Sequence, residues 1–336
     1  MNGLAADARP APLAAEAALT RAGQLVGPAL DAAVARLGGE LRDPVQHHLA
    51  GGGKRIRAAL VLLSAAAAGA TEADGLPGAV AIELVHNYSL IHDDIIDGDQ
   101  ERRHRPSVWA EFGIGRAIVA GDALATLATQ VLLETGHAAG VRAAAALAEA
   151  TQAMIEGQSI DMAFETRPAI TPEECLAMEQ GKTGALLSCA AAIGGILGGA
   201  PGQVVDALAD FGSDLGIAFQ AVDDVLGIWG EPSRTGKPVG SDLVSHKKSL
   251  PVAIALAGPA SAERDELAAL LAGPLFGDDL SRASAMIEAT GARRAVMAVA
   301  EERLAAALAA LHRVQLVPGP RAELAAVAHF VTERDQ

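Results

Sequence analysis

Apolar segments rich in alanine and leucine follow one another along most of the chain, separated by short breaks at glycine or proline. Alanine and leucine have high intrinsic helix propensity. Aromatic residues make up only 3% of the 336 residues, and β-branched residues are sparse in most segments, whereas strands are enriched in both types. The sequence therefore predicts an all-α fold, with a core large enough to need neither disulfides nor a structural metal.

The breaks divide the chain into a succession of helical segments. Helices are predicted at about residues 13–36, 54–70, 77–98, 114–136, 140–165, 171–198, 202–229, 248–257, 261–272, 279–289, 291–312 and 320–333. No composition shift marks a domain boundary. We therefore expect a disordered N-terminus over residues 1–12 and a single-domain helical bundle over residues 13–336. The long polar segment 231–248 is predicted to be a loop, and loops of this length are usually functional or disordered.

Charge and cysteine content exclude several classes of protein. The net charge of −15 gives the chain no electrostatic reason to bind nucleic-acid phosphates. Cys175 and Cys189 are too few for a zinc site or a disulfide framework, and we expect both to be reduced and structural.

The N-terminus lacks the apolar run of a signal peptide. The apolar segment 185–200 is shorter than the roughly 20 residues that span a bilayer, and it is predicted to be a buried helix in a cytoplasmic protein.

A first acidic cluster, Asp93, Asp94 and Asp97, ends an apolar helical segment. Asp93 and Asp97 are one turn apart, about 6 Å along the axis, and share a helix face. Buried carboxylates without a counter-charge are costly, and Mg²⁺ binds one or two carboxylates together with phosphate oxygens. A solvated acidic helix end paired with Arg102 and Arg103 explains this cluster equally well when it is considered alone.

A second pair, Asp223 and Asp224, lies within another apolar helical segment between Ile217 and Leu226. Two such clusters in one helical chain favour metal binding over a solvated helix end. Facing Asp pairs on separate helices would hold metal ions that bridge a diphosphate, where they neutralise the charge of the leaving group.

The few cations are grouped near glycines or near these acidic clusters. The groups are Lys54, Arg55 and Arg57, then Arg102, Arg103 and Arg105, then Lys182 beside Thr183, and finally Lys237, Lys247 and Lys248. Helix starts favour anions, so the pattern predicts a phosphate-bearing ligand bound with metal. Gly181–Gly184 is not a P-loop, because Leu176 occupies the required glycine position and no strand precedes it.

Five separated segments together resemble the trans-isoprenyl diphosphate synthases, also called polyprenyl synthetases. They are residues 52–57, 86–97 with 102–103, 181–186, 219–224 and 236–243. The resemblance covers about residues 51–251. Segments 103–106 and 223–230 look like the actinobacterial branch, which includes geranylgeranyl and farnesyl diphosphate synthases.

The resemblance implies a helical bundle around a central cavity, usually a homodimer, and a Mg²⁺-dependent reaction. An allylic diphosphate ionises, the alkene of isopentenyl diphosphate attacks the allylic cation, and a proton passes to the released diphosphate. Head-to-tail condensation then yields an all-trans product that is passed to membrane or terpene enzymes. No side-chain nucleophile is needed.

The same resemblance implies roles for individual residues. Isopentenyl diphosphate would be bound by Lys54, Arg57, His86 and Arg103. The allylic diphosphate or its surroundings would contact Arg102, Lys182, Thr183, Gln220, Lys237 and Lys247. Mg²⁺ would be ligated by Asp93, Asp97 and Asp223, with Asp94 and Asp224 in support. The catalytic set implied is Asp93, Asp94, Asp97, Arg102, Lys182, Asp223, Asp224 and Lys237.

The resemblance also implies a product length, and the sequence departs from the family motif at one position. Tyr88, followed by Ser89, stands five positions before Asp93 and would form the floor of the product cavity. This predicts geranylgeranyl diphosphate first and farnesyl diphosphate next. Helical geometry does not give this by itself, since Tyr88 lies about 140° from Asp93. Gly227 stands where the family motif has a third aspartate.

Two alternatives to a prenyl diphosphate synthase can be distinguished by sequence features. A terpene cyclase on this fold would ionise an allylic diphosphate without condensing it, but the residues implied for isopentenyl diphosphate argue against it. A non-catalytic regulatory subunit would usually lack the first acidic cluster, which this chain retains.

Overall fold

The computed structural model describes residues 12–231 and 239–332, most of which are helical. The longer helices in the first half are α1 (Pro12–Val34), α2 (Gly39–Leu49), α3 (Ile56–Ala67), α4 (Glu72–Ile96), α6 (Ile114–Leu133) and α7 (Ala138–Glu165), with a short α5 (Val108–Phe112). The second half holds α8 (Pro172–Glu179), α9 (Ala185–Leu197), α10 (Gly202–Trp229), α11 (Ser241–Val244), α12 (Leu250–Ala257), α13 (Ala262–Leu271), α14 (Asp278–Ala289), α15 (Ala292–His312) and α16 (Pro318–Thr332). The predicted all-α fold class is confirmed.

The described residues form two compact units. The first comprises the chain up to Thr151 with Leu186–Gly212 and Leu308–Phe330, and the second comprises Gln152–Ala185, Ser213–Ala307 and the residues from Val331. Helices α7, α10, α15 and α16 each contribute residues to both units.

The core of the first unit is built where α4 packs against α3 and α6. Leu60, Ile82, Leu84 and Leu124 are fully buried there. Helix α9 also packs closely, because a Cβ added at Gly194 would come within 2.7 Å of the Ser64 Cβ on α3. The sequence prediction of a buried helix with close contacts in this segment is confirmed.

The core of the second unit joins the end of α7 with α8, α10, α12 and α15. Its fully or nearly fully buried side chains include Phe164, Cys175, Val222, Leu250 and Val296. This core packs α10 against α8 and the start of α12. The second acidic pair, on α10, therefore lies beside those two helices.

Several elements differ from the sequence prediction. Helix α2 was not predicted, and its polar sequence contains Gly39 and Pro44. Helix α4 begins at Glu72 and not near residue 77, since Thr71 and Asp74 form a capping box that starts it earlier. The N-terminal disorder prediction lies outside the described residues, apart from Pro12, where α1 begins.

A two-stranded antiparallel hairpin was also not predicted. Its strands are β1 (Glu101–Arg102) and β2 (Arg105–Pro106). The two residues between them, Arg103 and His104, have φ angles of 54° and 59°. Tight hairpin turns of this kind favour glycine or asparagine, so neither residue gave a turn signal.

One described helix, α6, is long and apolar enough to cross a membrane by length and composition alone. The core helices of globular proteins also pass this test, and α6 packs along α4 through buried residues such as Leu124 and Leu127.

Candidate active site

The first acidic cluster lies at the carboxyl end of α4, and its three aspartates have different surroundings. Asp97 is exposed, Asp93 is partly exposed and Asp94 is fully buried. Asp94 Oδ1 accepts a hydrogen bond from Arg102 Nε at 2.6 Å. Burial raises the pKa of Asp94 to about 6 although Arg102 opposes this shift. Asp94 therefore anchors the hairpin that carries Arg102.

The donor set of Asp93 and Asp97 fits a hard divalent cation. Both are carboxylates on one face of α4, one turn apart, and both are accessible to solvent to some extent. Such oxygen ligands suit Mg²⁺, which retains several waters and takes one or two protein carboxylates. Asp94 is less suited, because one oxygen is committed to Arg102 and the other is buried without a hydrogen-bond partner among the described residues.

The residues implied for isopentenyl diphosphate lie in the first unit. Arg57 Nη1 is 3.4 Å from His86 Nε2. Burial, and then the positive charges of Arg57 and Arg103, lower the pKa of His86 well below its usual value. His86 is thus a neutral imidazole next to two guanidinium groups, while Lys54 lies in the exposed loop before α3.

The glycine loop before α3 accommodates Arg103. A Cβ added at Gly51 would lie 3.3 Å from Arg103 Cδ, and one added at Gly53 would lie 3.2 Å from Arg103 Nη2. The Arg103 side chain therefore packs against the backbone of Gly51 and Gly53, where the Cβ atom of any other residue would crowd it. The structure brings Arg57, His86 and Arg103 together.

A buried ion pair supports this loop and was missed from the sequence. Arg55 Nη1 donates to Glu83 Oε2 at 2.5 Å, and the two side chains are only 15% and 4% exposed. Arg55 also adopts a left-handed conformation, with φ of 54°. A glutamate within the apolar run of α4 was the signal that a buried counter-charge lay nearby.

In the second unit, Lys182 and Thr183 lie in a single π-helical turn, Gln180–Gly184, between α8 and α9. Such turns are often found at functional sites. Lys182 Nζ donates to Asp161 Oδ2 at 2.5 Å. The turn packs directly on α7, because a Cβ at Gly157 would overlap the Lys182 backbone. Asp161 was not identified from the sequence, since a single carboxylate on a long helix gives no pattern.

Thr183, Gln220 and Asp224 form one hydrogen-bonded chain. Thr183 Oγ1 donates to Gln220 Oε1 at 2.9 Å, and Gln220 Nε2 donates to Asp224 Oδ1 at 2.8 Å. Asp224 Oδ2 accepts from the backbone N–H of Leu250 at 2.8 Å. Both oxygens of this buried carboxylate are therefore occupied, so Asp224 positions α10 against α12, while Asp223 is partly exposed.

Gly227, one turn after Asp223, makes room for another carboxylate. A Cβ at this position would overlap the Asp242 side chain, which comes from α11. The space next to the helix, where the family motif has its third aspartate, is thus occupied by Asp242.

A buried cluster of Cys175, Glu179 and Asp224 lies behind Asp223. Ligand atoms of the three residues lie within 4.8 Å of one another. Burial, and then the Asp224 charge and a hydrogen bond to Asp224, raise the pKa of Glu179 well above its usual value. Burial also raises the pKa of the Cys175 thiol. The raised pKa favours a proton on Glu179 that is shared with Asp224 through their hydrogen bond. The cluster therefore fits a protonated carboxyl better than Mg²⁺, which keeps several bound waters.

The raised pKa predicts a pH-dependent effect of Glu179→Gln. A carboxyl whose folded-state pKa is raised contributes stability at pH values below its unfolded pKa, and this stability is lost as pH rises. Relative to wild type, the unfolding free energy of Glu179→Gln should therefore increase between pH 4 and pH 8. Denaturant unfolding at both pH values tests this, with Glu173→Gln, exposed on the same helix, as control. A constant difference would contradict the shared-proton assignment.

The remaining predicted residues are placed as follows. Lys237 lies outside the described residues. Lys247 is partly exposed, and its backbone N–H donates to the Asp242 carbonyl at 2.8 Å. Ser89 Oγ donates to the His86 carbonyl at 2.9 Å. Tyr88 stacks edge-on against His92, with ring centroids 4.9 Å apart.

Comparison with known proteins shows the family of this chain. Residues 39–284 match the family model for polyprenyl synthetase. A (2E,6E)-farnesyl diphosphate synthase of Mycobacterium tuberculosis is 43% identical over 327 residues, covering 93% of this chain and 91% of the relative. A geranylgeranyl diphosphate synthase of the same organism is 39% identical over 334 residues, covering 95% and 94%.

A solved structure is also similar. The crystal structure of a polyprenyl synthetase from Streptomyces coelicolor A3(2) superposes with a TM-score of 0.90 at 43% identity, covering 94% of this chain and 98% of that one. The resemblance stated from the five sequence segments is confirmed, and with it the all-α isoprenoid synthase fold. The chain belongs to the polyprenyl synthetase family.

Proposed function

We propose that this prenyltransferase condenses isopentenyl diphosphate with an allylic diphosphate, head to tail, to give a short all-trans product. The observation that carries the proposal is the convergence of Arg57, His86 and Arg103 in the first unit. A neutral imidazole and two guanidinium groups suit a diphosphate that is bound but not broken. Enzymes that only ionise an allylic diphosphate have no use for this second anion site.

The chemistry requires a leaving diphosphate to be stabilised. The C–O bond of the allylic diphosphate breaks, the alkene of isopentenyl diphosphate forms the new C–C bond, and the released diphosphate takes the proton. Arg102 and Lys182 now pair with Asp94 and Asp161, and we propose that both also contact the allylic diphosphate. Thr183, Gln220, Lys237 and Lys247 complete this proposed set.

We propose Asp93, Asp97 and Asp223 as Mg²⁺ ligands, with Asp94 and Asp224 holding the surrounding elements in place. When bound, Mg²⁺ supplies Lewis-acid neutralisation of the charge that develops on the diphosphate. The support lies in the donor chemistry, since these are the partly or fully exposed carboxylates of the two clusters, whereas Asp94 and Asp224 are buried and hydrogen-bonded.

Arg57→Gln tests the isopentenyl diphosphate assignment. A hydrogen bond to a charged group contributes about 1.5–3 kcal/mol, so the KM for isopentenyl diphosphate should rise by roughly 10–100-fold. The KM for the allylic substrate should change by no more than about twofold. Steady-state kinetics with each substrate varied in turn measures both, and Arg142→Gln, exposed in the first unit, is the matched control. Equal rises in both KM values would oppose the assignment.

From the chain-length residues we propose geranylgeranyl diphosphate as the product, with farnesyl diphosphate next. Relatives of both names match nearly the whole chain. Tyr88 and Ser89 are proposed as the chain-length residues. Since packed interiors do not yield easily to added volume, Tyr88→Ala should lengthen the product by one or more five-carbon units. Mass spectrometry of the dephosphorylated products measures this. An unchanged distribution from a folded variant would place the floor elsewhere.

We further propose a cytoplasmic homodimer, with residues 13–336 forming one polyprenyl synthetase domain. The support for a dimer is an apolar face of the first unit on α6 and the start of α7. Its exposed side chains are Ile114, Ile118, Val119, Leu133 and Val141. Exposed apolar side chains of this kind occur at interaction sites, and a second copy is the partner that the family resemblance implies.

A further inference from the structure

His92 links the proposed chain-length residue to a neighbouring helix. Its ring meets that of Tyr88 edge-on, with centroids 4.9 Å apart and an interplanar angle of 73°. Its Nε2 atom lies 3.1 Å from the carbonyl oxygen of Ile118, which is on α6, and this is within hydrogen-bonding distance. The side chain is thus held at both ends, by an aromatic contact and by a polar contact to backbone.

Gly121 fixes where the His92 ring can lie. A Cβ added at Gly121 would overlap Nε2 of the His92 ring and come within 2.6 Å of its Cδ2. Gly121 itself is buried. The imidazole therefore rests directly on the backbone of α6, in space that every other residue type would fill, and the hydrogen bond to Ile118 prevents it from sliding along the helix.

Tyr88 is partly exposed, so protein groups enclose only part of its side chain. Among the described residues, its ring pairs with the His92 ring. Aromatic pairs of this geometry contribute about 0.5–1.5 kcal/mol beyond their buried area. Moving the His92 ring should consequently move the Tyr88 ring.

We propose that His92, seated on Gly121, is a positioning residue that sets product chain length through Tyr88. The inference rests on the proposed function, in which Tyr88 closes the end of the product cavity. It adds that the floor has two layers, a phenol and behind it an imidazole held by α6. Product length is then determined by helix packing as well as by the residue at position 88.

The two layers can be changed in opposite directions. His92→Ala removes the imidazole, so Tyr88 can retreat into the vacated space and the product should become longer by at least one five-carbon unit. Gly121→Ala pushes the imidazole away from α6 towards Tyr88, and the product should become shorter. We expect each change to alter the ratio of adjacent products by about tenfold, which corresponds to ~1.4 kcal/mol of altered packing.

The product distribution of each purified variant, read by mass spectrometry with isopentenyl and geranyl diphosphate as substrates, tests the proposal. Thr129→Ala, exposed on α6, is the control and should match wild type. If Gly121→Ala does not fold, His92→Phe, which enlarges the ring at the same seat, takes its place. Because His92 acts through Tyr88, His92→Ala should add no further shift in a Tyr88→Ala background.

Two results would overturn the proposal. One is an unchanged distribution in folded, active His92→Ala, and the other is reduced turnover without any change in product length, which a merely structural role would give. If wild type forms condensation products in the same assay, either result for His92→Ala contradicts the role of His92 and leaves the proposed function intact. A wild type that makes no condensation product would remove the proposed function, and this inference with it.

Discussion

Replacing Asp93 or Asp223 by alanine is expected to lower kcat by about three orders of magnitude or more. The carboxylates are proposed to hold the cation that neutralises the leaving diphosphate, so their interaction strengthens in the transition state. Losing such an interaction lowers kcat and kcat/KM together and leaves substrate binding less affected. Single-turnover kinetics at saturating substrate measures the effect.

A matched control is available on the same helix as Asp223. Asp206 is exposed on α10, and Asp206→Ala should retain turnover within about twofold, since surface substitutions usually change little. Far-UV circular dichroism should show all three variants folded. If Asp223→Ala kept turnover within about tenfold of wild type, Asp223 could not belong to the ligand set.

Glu83→Ala should lower the unfolding free energy by about 3–5 kcal/mol. The substitution leaves the Arg55 guanidinium buried without its counter-charge, and both side chains are largely excluded from solvent. Replacing both partners by apolar residues, Arg55→Met with Glu83→Leu, should recover much of the loss. Denaturant unfolding provides the measurement.

An exposed ion pair in the same unit provides the contrast. Arg36 and Glu134 are paired with side chains 40% and 57% exposed, so Glu134→Ala should cost no more than about 1 kcal/mol. Similar losses for Glu83→Ala and Glu134→Ala would show that burial does not govern the Arg55–Glu83 pair.

Much of the fold followed from helix propensity, because long alanine- and leucine-rich segments have few other stable structures. The elements that were not predicted depend on tertiary contacts. Helix α2 contains Pro44 and a polar sequence, and the hairpin turn at Arg103 and His104 lacks glycine. Asp94 explains the hairpin, since its buried carboxylate binds Arg102 on the first strand.

The candidate site was predictable where function leaves a repeated local pattern. Paired aspartates on apolar helices are such a pattern, and so is a lysine or arginine group after glycines. Glu83, Asp161 and Glu179 were missed because each is a single carboxylate whose partner comes from another segment. Their ion pairs and shared proton exist only after folding.

The most direct test of the central claim is a product assay on the purified full-length chain. It is incubated with isopentenyl diphosphate and dimethylallyl, geranyl or farnesyl diphosphate, and the dephosphorylated products are identified by mass spectrometry. We predict linear all-trans prenyl alcohols of geranylgeranyl or farnesyl length, lost in excess EDTA and recovered with Mg²⁺. Cyclic hydrocarbons with isopentenyl diphosphate unconsumed, no product from the protein alone, or full turnover in excess EDTA would contradict the account.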